Sequence, residues 1–465
     1  MSIIQPEDRK QQQLFSSLDE QLDSESIVRL IDLIIDKIYE NKKIEQLKAN
    51  DVGRPEYPRS SLLKLYVYGY MNRVKSSRKL ERECKVNIEV LWLMGKMQPD
   101  HWTISNYRKE NQVEIQQAVK QFVKFLKESG YLEGKTVVID GTKLKANASL
   151  TSTTSIDELK ERLEDIDNKI IYYLDTIEQE DEKTEEIEKL KKEKEELVKE
   201  IEKLKAEKKR AYIKTDPDAN IIKTKRGKVI GYNIQLSCDR RNKLIVSTDV
   251  SSQTNDFKQL RNMYEKSREM LGTKPSEIIA DAGYYSPEEI QSLEEGEKVK
   301  TYVAELPEQT KGEFRYDNQK DEYTCSQGKK LKFEKQKYNS RGRKTRVYRC
   351  NECEECPVRK RCTISIHGRT KIRYINQDFR NSYRERMREK ESKAKIRLRK
   401  AVIEHTFGTI KLWLGKNPLL LRGIEKVQTE IRLVSFSYNL LRIYNIDSFE
   451  SLLEKINRYN WKLAS

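Results

Sequence analysis

The sequence predicts an α/β protein. A mixed five-stranded sheet with helices is expected in residues 135–465, preceded by an all-α domain in residues 1–134 and interrupted by a coiled-coil insertion (155–211) and a basic, Cys-rich insertion (305–393). Three observations predict this class. Up to Gly130 the apolar residues recur at helical spacing, from Lys135 short β-branched runs alternate with helical ones, and from Ile156 to Leu204 apolar residues return every three or four positions.

The helical part comes first. Ile27, Leu30, Ile31, Ile34 and Ile38 share one helix face, as do Leu62, Leu65, Tyr66 and Gly69, with Pro55 and Pro58 punctuating the two. SSRKLERECKVNIEVLWLMG and DHWTISNYRKENQVEIQQAVKQFVKFLKESG then give short helices separated by turns. Arg73, Lys75, Arg78, Lys79, Arg108 and Lys109 would face phosphates in a helix-turn-helix-type arrangement, a plain packing domain being the alternative.

At Lys135 the period changes. KTVVID reads as a buried strand ending in Asp140 and entering a turn at Gly141. Leu159, Leu163, Ile166, Ile170, Leu174 and Ile177 mark one coiled-coil arm; Ile187, Leu190, Leu197, Ile201 and Leu204 mark another, with QEDEKTEE as the break between them. The arms fold back as an antiparallel hairpin or form one long helix that pairs with a second subunit. Beyond them, KVIGYNIQLSCD and NKLIVSTDVSS read as a β-hairpin turned at DRRN, followed by a helix from Asp256 to Leu271. SEIIADAGYYS is a fourth strand, PEEIQSLEEGEK a short helix and KVKTYVAEL a fifth strand; RLRKAVIEHTFGTIKLWLG and GIEKVQTEIRLVSFSYNLLRIYN are the closing helices. Three leading strands followed by alternating helices and strands describe a mixed sheet covered by helices.

Composition narrows the function. The 465 residues are 36% hydrophobic and 36% charged with a net charge of +17, and the mean hydropathy is −0.85. No apolar run approaches the ~20 residues a bilayer span needs, which excludes a protein built from membrane helices. The opening MSIIQPEDRKQQQLF lacks the basic start and apolar stretch of a secretory signal, so a cytoplasmic location is expected. Lys330 to Lys400 contains 25 Lys/Arg against 8 Asp/Glu, so the whole net charge is concentrated in one stretch. Such a segment, interleaved with Tyr, suits nucleic-acid phosphates and bases.

Three acids carry the chemistry. In such a sheet the first strand lies centrally, and a parallel fourth strand beside it would bring Asp140 and Asp281 together at the carboxyl edge, where ligands gather. Two adjacent carboxylates repel unless a divalent cation lies between them, and hard oxygen ligands select Mg²⁺ or Mn²⁺. Glu404, on a helix that can cross the same edge, would complete sites for two ions suited to phosphodiester chemistry. An acid that ends a strand is often only a turn former, but two such strands and a helical Glu in this order form a constellation. Asp249 and Asp256 read as structural. Lys400 and Lys411 share the helix face of Glu404, one turn before it and about two turns after, so Lys411 could hold a terminal phosphate; His405 contacts DNA or packs.

Five of the seven cysteines, Cys325, Cys350, Cys353, Cys356 and Cys362, fall in the basic segment, and C-x2-C-x2-C-x5-C is a metal-like spacing. A structural Zn²⁺ held by Cys325 and three of the other four is expected, with an iron–sulfur cluster or reduced thiols as alternatives.

These motifs together resemble the bacterial insertion-sequence transposases of the Asp-Asp-Glu (DDE) type, over nearly the whole chain. GRPEYPRSSLLKLYVYGYMNRVKSSRKLE and PDHWTISNYRKEN resemble that family's N-terminal helical domain, VVIDGTKLKANAS its first acidic motif, TDPDAN its link into the second strand, IIADAGYYS its second acidic motif and IEHTFGTIK its third. The resemblance implies a ribonuclease-H-like catalytic domain, Asp140, Asp281 and Glu404 as metal-binding catalytic residues, and double-stranded DNA as partner, both transposon ends and target. Of the family's Tyr, Arg, Glu, Lys signature, Glu404 and Lys411 match, while Arg397 and Lys400 stand where Tyr and Arg are usual. A nucleoid-associated homodimer that cleaves and joins DNA is therefore expected. A two-metal nuclease without strand transfer and a catalytically silent DNA-binding descendant are the rivals.

Overall fold

The structure, a computed structural model, describes residues 17–40, 56–175, 181–206, 211–224, 227–305, 314–338, 344–415 and 418–461. The N-terminal MSIIQPEDRKQQQLF, Pro55, Ile177 and the first two residues of QEDEKTEE lie outside these described residues.

In chain order, six helices come first: α1 (Ile27–Glu40), α2 (Arg59–Met71), α3 (Ser77–Val86), α4 (Ile88–Leu93), α5 (His101–Glu110) and α6 (Gln112–Glu128). Strand β1 (Thr136–Lys145) and the short β2 (Thr153–Ser155) lead into α7 (Ile156–Asp175) and α8 (Asp181–Ala206). Then come β3 (Ala211–Ile213), β4 (Asn220–Thr224), β5 (Gly227–Asp239), β6 (Ile245–Ser251), α9 (Leu260–Leu271), β7 (Glu277–Ala280), α10 (Pro287–Gln291) and β8 (Lys300–Val303). Five further strands follow, β9 (Phe314–Asp317), β10 (Glu322–Cys325), β11 (Lys330–Tyr338), β12 (Lys344–Arg349) and, after the single turn α11 (Arg359–Cys362), β13 (Thr370–Tyr374). Helices α12 (Gln377–Arg388), α13 (Lys390–Leu414), α14 (Ile424–Tyr444) and α15 (Phe449–Arg458) close the chain. Two compact units divide it: Met1–Asp256 with Met263–Pro275 and Val402–Ser465, and Phe257–Asn262 with Ser276–Ala401.

In the first unit α2 is the central helix. Every residue from Ser61 to Tyr70 is buried, because α1, α4, α5 and α14 all pack on it. Gly69 is required by that closeness: a Cβ there would stand 2.6 Å from the Val74 carbonyl oxygen and 2.7 Å from Leu80. Asn87 caps α4 and Asp100 caps α5, each accepting backbone N–H bonds that the first turn leaves open. The Phe436 ring of α14 stacks on Phe122 of α6 at 4.3 Å, so the last long helix is part of the same core as the first six.

The sheet of this unit is antiparallel. β5 takes β1 along one edge, from Val137↔Asp239 to Lys145↔Gly231, and β4 and β6 along the other. Asn439 of α14 fastens to β6, accepting from the Ile245 N–H and donating to the Ile245 carbonyl, both at 2.8 Å. The hairpin reading of the two apolar arms agrees with the structure: Leu159, Ile166 and Ile170 of α7 form one core with Leu197, Ile201 and Leu204 of α8, and β2 pairs antiparallel with β3 at the base. The acidic break is shorter than expected, since α8 already begins at Asp181; Glu and Lys are good helix formers and outweigh the missing apolar residues.

In the second unit β7 and β8 are parallel, from Glu277↔Lys300 to Ala280↔Val303. Tyr383 of α12 covers the β8 edge, its hydroxyl accepting from the Val303 N–H at 2.8 Å and donating to the Val303 carbonyl at 3.1 Å. The Cys-rich segment is an antiparallel meander in the order β13-β12-β11-β10-β9. Its core is aromatic, with Tyr323, Leu331, Tyr348 and Cys350 buried against Phe314 and Tyr316. Among the described residues no helix is long and apolar enough to cross a membrane.

Candidate active site and cysteine cavity

Asp140 does not end its strand. β1 runs on through Gly141 to Lys145, and Asp140 pairs with Leu236 in mid-strand. The expected turn at Gly141 is absent because GTKLK continues to meet a partner, the 13-residue β5. Side chains alternate across a strand, so Asp140 shares a face with Val138, whose directly paired partner is Cys238. The buried Cys238 thiol donates to Thr406 Oγ1 at 3.8 Å, and Thr406 also bonds the Val402 carbonyl and the Tyr438 hydroxyl. Helix α13 is thus held to the sheet face that carries Asp140, one pair step along the strand. Burial, eased by Thr406 and reinforced by the negative charges of Asp239 and Asp140, pushes the Cys238 thiol up to about 12.

Glu404 lies two residues before Thr406 on α13 and is exposed. It makes no hydrogen bond or ion pair with any described residue, which leaves both carboxylate oxygens to solvent or a ligand. His405 Nδ1 stands 3.1 Å from the Tyr438 hydroxyl. Desolvation, then the nearby Arg442 and Lys243 charges, lower the imidazole pKa, which keeps it neutral near pH 7. Lys411 is exposed with its ammonium 5.6 Å over the Phe407 ring, and Lys400 is exposed on the same helix.

Asp281 belongs to the second unit. It follows β7 directly and precedes a short 3-10 turn, Ala282–Tyr284. Arg399 stands 3.4 Å from its Oδ1, with the guanidinium largely buried and the carboxylate half exposed. Arg399 was not among the sequence candidates; its position on a helix gives no sign that it would meet a strand-end acid. Asp249 pairs with Lys266, and Asp256 accepts from Asn233 and Gln235 at 2.8 and 2.7 Å. Asp256 therefore ties down β5 rather than capping α9, which starts four residues later.

The five clustered cysteines line one cavity of about 230 Å³ together with Lys329, Arg359, Arg361 and Arg369. All are free thiols. Burial, followed by hydrogen bonding with Cys353 and the nearness of Cys325, pushes the Cys350 thiol up to about 11. Cys353 Sγ accepts from the Arg369 N–H at 3.4 Å. Gly368 lets these turns meet: its φ is +82°, and a Cβ there would stand 2.1 Å from the Cys350 carbonyl oxygen. Among the described residues no group of three or more His, Cys, Asp or Glu side chains is disposed to hold a metal ion.

Comparison with known families decides what these elements belong to. Residues 324–444 match the family described as Transposase DDE domain, and residues 16–110 match Transposase domain (DUF772). The two matches support an insertion-sequence transposase of the DDE type. No curated protein and no solved structure matches it. The DDE match contains Glu404 and all five clustered cysteines, whereas Asp140 and Asp281 fall outside both matched spans.

Transposases act on DNA, which supports DNA as the partner, and the phosphate contacts expected from the sequence divide in two. Arg73, Arg78, Lys79 and Lys109 are exposed. Arg108 is 3% exposed, its guanidinium donating to the Tyr70 hydroxyl at 2.8 Å and lying 5.1 Å over the Tyr66 ring. It is a core residue, because Ile104, Tyr107 and Arg108 share one face of α5 and that face is buried. Lys75 is half-buried and donates to the Leu414 and Pro418 carbonyls at 2.7 and 3.4 Å, where it satisfies the end of α13 instead of facing outward.

Proposed function

We propose that this transposase binds the terminal inverted repeats of its element, hydrolyses one DNA strand to free a 3′-hydroxyl and joins that hydroxyl to target DNA. In this reading residues 1–134 bind DNA, with Arg73, Arg78, Lys79 and Lys109 on phosphates, and residues 135–465 form a ribonuclease-H-like catalytic domain carrying the insertions 155–211 and 305–393. Asp140, Asp281 and Glu404 would hold two Mg²⁺ or Mn²⁺ ions. The donor set suits them: three carboxylates are hard oxygen ligands, and Glu404 has no described partner to displace. The observation that carries the reading is α13, which bears Glu404 and is held through Thr406 to the sheet face that carries Asp140.

When bound, the ions would supply charge stabilisation for the attacking and leaving oxygens. The chain's own residues would position the DNA: Lys411 and Lys400 offer ammonium groups on the helix of Glu404, and neutral His405 packs on Tyr438 without exchanging a proton with substrate. Cys325 with three of Cys350, Cys353, Cys356 and Cys362, which line one cavity, would hold a structural Zn²⁺; about one zinc per chain in purified protein, lost on Cys353→Ser, is the expected result. The protein works in the cytoplasm on nucleoid DNA as a homodimer, to which α7 and α8 contribute as a coiled coil.

The test is cleavage and joining of labelled DNA that carries the gene's own flanking sequences, with Mg²⁺ or Mn²⁺, by wild type and by Asp140→Asn, Asp281→Asn and Glu404→Gln. Joined products from wild type alone, with end binding retained by the variants, are expected. Full cleavage by any one of the variants removes that acid from the site; nicking by wild type without joining replaces the transposase by a nuclease. Tight binding without cleavage by any of the proteins leaves a catalytically silent DNA-binding protein.

A further inference from the structure

A row of exposed cations lies on β11, and a backbone irregularity creates it. The strand reads KLKFEKQKY. Strict alternation would place Lys330 and Lys332 on one face and Lys335 and Lys337 on the other, beside Phe333. The register with β12 does otherwise: Lys332 pairs with Arg349 and Phe333 with Tyr348, but Lys335 pairs with Val347 and Lys337 with Thr345. Glu334 is therefore the extra residue of a β-bulge, and the parity of the strand changes there. All four lysines consequently share the face opposite the Leu331 and Tyr348 core, and all four are exposed.

The same face carries Arg349 beside Lys332 and Arg315, which pairs with Thr324 opposite Lys330. Two of its acids are paired with cations, Glu322 with Lys330 and Glu334 with Arg349 at 3.0 Å, 3.7 Å from Lys335; the third, Asp317 opposite Glu322, accepts from the Gln319 and Lys320 N–H groups at 2.9 and 3.2 Å. The Lys332 and Lys337 ammonium groups have no ion pair or hydrogen bond with any described residue. Beside the row, β12 contributes Thr345 and Val347, both buried. At ~3.3 Å per residue the row from Lys330 to Lys337 spans roughly 20–25 Å, the axial length of about six phosphates of one DNA strand at ~3.4 Å each.

We propose that this lysine face of the meander binds the DNA backbone without regard to sequence, and that its occupant is the target duplex. This rests on the transposase reading above. Charge complementarity supplies the partner: the face carries Lys330, Lys332, Lys335, Lys337, Arg349 and Arg315 against Glu322, Glu334 and Asp317, and the substrate class proposed for the protein is a polyanion. Lysine supplies the lack of sequence preference, because an ammonium is a point charge for phosphates, whereas base edges are read by the planar forks of Arg, Asn and Gln. Gln336, the one amide on β11, pairs with Arg346 on the opposite face.

The experiment uses full-length protein with Lys332→Ala/Lys337→Ala and with Lys332→Glu/Lys337→Glu. The probes are a random-sequence duplex of ~30 base pairs and a duplex carrying the element's end, each titrated across a salt series by fluorescence anisotropy. On the random duplex the double alanine variant is expected to lower the slope of log K against log salt by about 2 and to weaken binding roughly tenfold or more, with a larger loss for the glutamates. The preference for the end over random sequence should rise. An unchanged slope on random DNA overturns the proposal, as does a loss confined to the end-bearing duplex, which would make the face an end-recognition surface. Either failure is separable from failure of the catalytic reading, since that reading is judged by cleavage by the acid variants and this one by binding of a duplex that is not cleaved.

Discussion

In the helical region before β1, two of the six cations expected to meet DNA are held inside the fold, whereas on β11 every lysine of the strand stands in solvent. Arg108 is enclosed by Tyr66 and Tyr70, and Lys75 ends against the carbonyls of Leu414, the last residue of α13, and Pro418 beyond it. Lys330, Lys332, Lys335 and Lys337 are instead lifted onto one face by a bulge. A helix places a cation by its angle around the axis, so a residue one turn from an apolar neighbour goes inward with it. A strand has only two faces, and one extra residue moves all that follows to the other. Positive charge in a sequence is thus converted into a surface by local geometry, and the two regions convert it in opposite senses.

The largest expected effect follows from the buried cation. Burial opposes the charge of Arg108, but the Tyr70 and Tyr66 rings and the buried Glu430 hold it protonated, with its pKa above the ordinary value. Arg108→Met should leave Glu430 without that counter-charge and Tyr70 without its donor, and should destabilise the protein by about 2–4 kcal/mol in urea unfolding. Lys332→Ala/Lys337→Ala should shift the same curve by no more than about 0.5 kcal/mol. Equal losses from the two variants would erase the contrast between the regions.

A carboxylate sharpens the distinction through pH. Asp447, between α14 and α15, bonds the Tyr131 hydroxyl at 2.5 Å, Lys455 at 2.6 Å and Ser451 at 3.1 Å. Burial raises its pKa, but Lys455, Tyr131 and Ser451 outweigh that and hold it down at about 2. A depressed folded pKa contributes stability that is complete above the unfolded value near 4 and is lost as pH falls through about 2. Asp447→Asn should therefore cost roughly 2 kcal/mol at pH 7, with the gap to wild type closing between pH 4 and 2. A gap that stays constant down to pH 2 would mean that packing, not ionisation, carries the contribution.

How much of this was legible depends on how far each element's own residues decide its place. β5, β6, β7 and β8 are readable because each is an apolar, β-branched run bounded by turn residues, and the α7–α8 pair because its apolar residues keep a regular spacing. Asp140 as a strand acid was readable, but its mid-strand position was not, since the length of β1 is set by the far edge of β5 rather than by GTKLK itself. The meander β9–β13 escaped notice although KLKF alternates strictly, because lysine on the polar face looks like a solvated run until a partner strand gives the other face a core. Arg108 was recoverable from the sequence: it lies four residues after Ile104 and next to Tyr107, on the side of α5 that the apolar residues mark as inward. The fastening of α13 through Thr406 and Cys238 had no such signal, because it joins residues 168 positions apart.

The smallest expected effect on stability, and the closest comparison between the regions, is at Arg78 and Lys79. Both are exposed at the start of α3, so replacing them with Ala should move the unfolding midpoint by no more than about 0.5 kcal/mol. If the helical region holds the element's end while β11 holds arbitrary DNA, this pair should matter on the end-bearing duplex. There the salt slope should fall by about 2. On the random duplex, where the helical region is free to leave the backbone, the slope should change less than it does for Lys332→Ala/Lys337→Ala. The reverse order would assign the two surfaces the other way round, with the exposed helix cations as the general DNA grip and the bulged strand as the part that stays with the element's end.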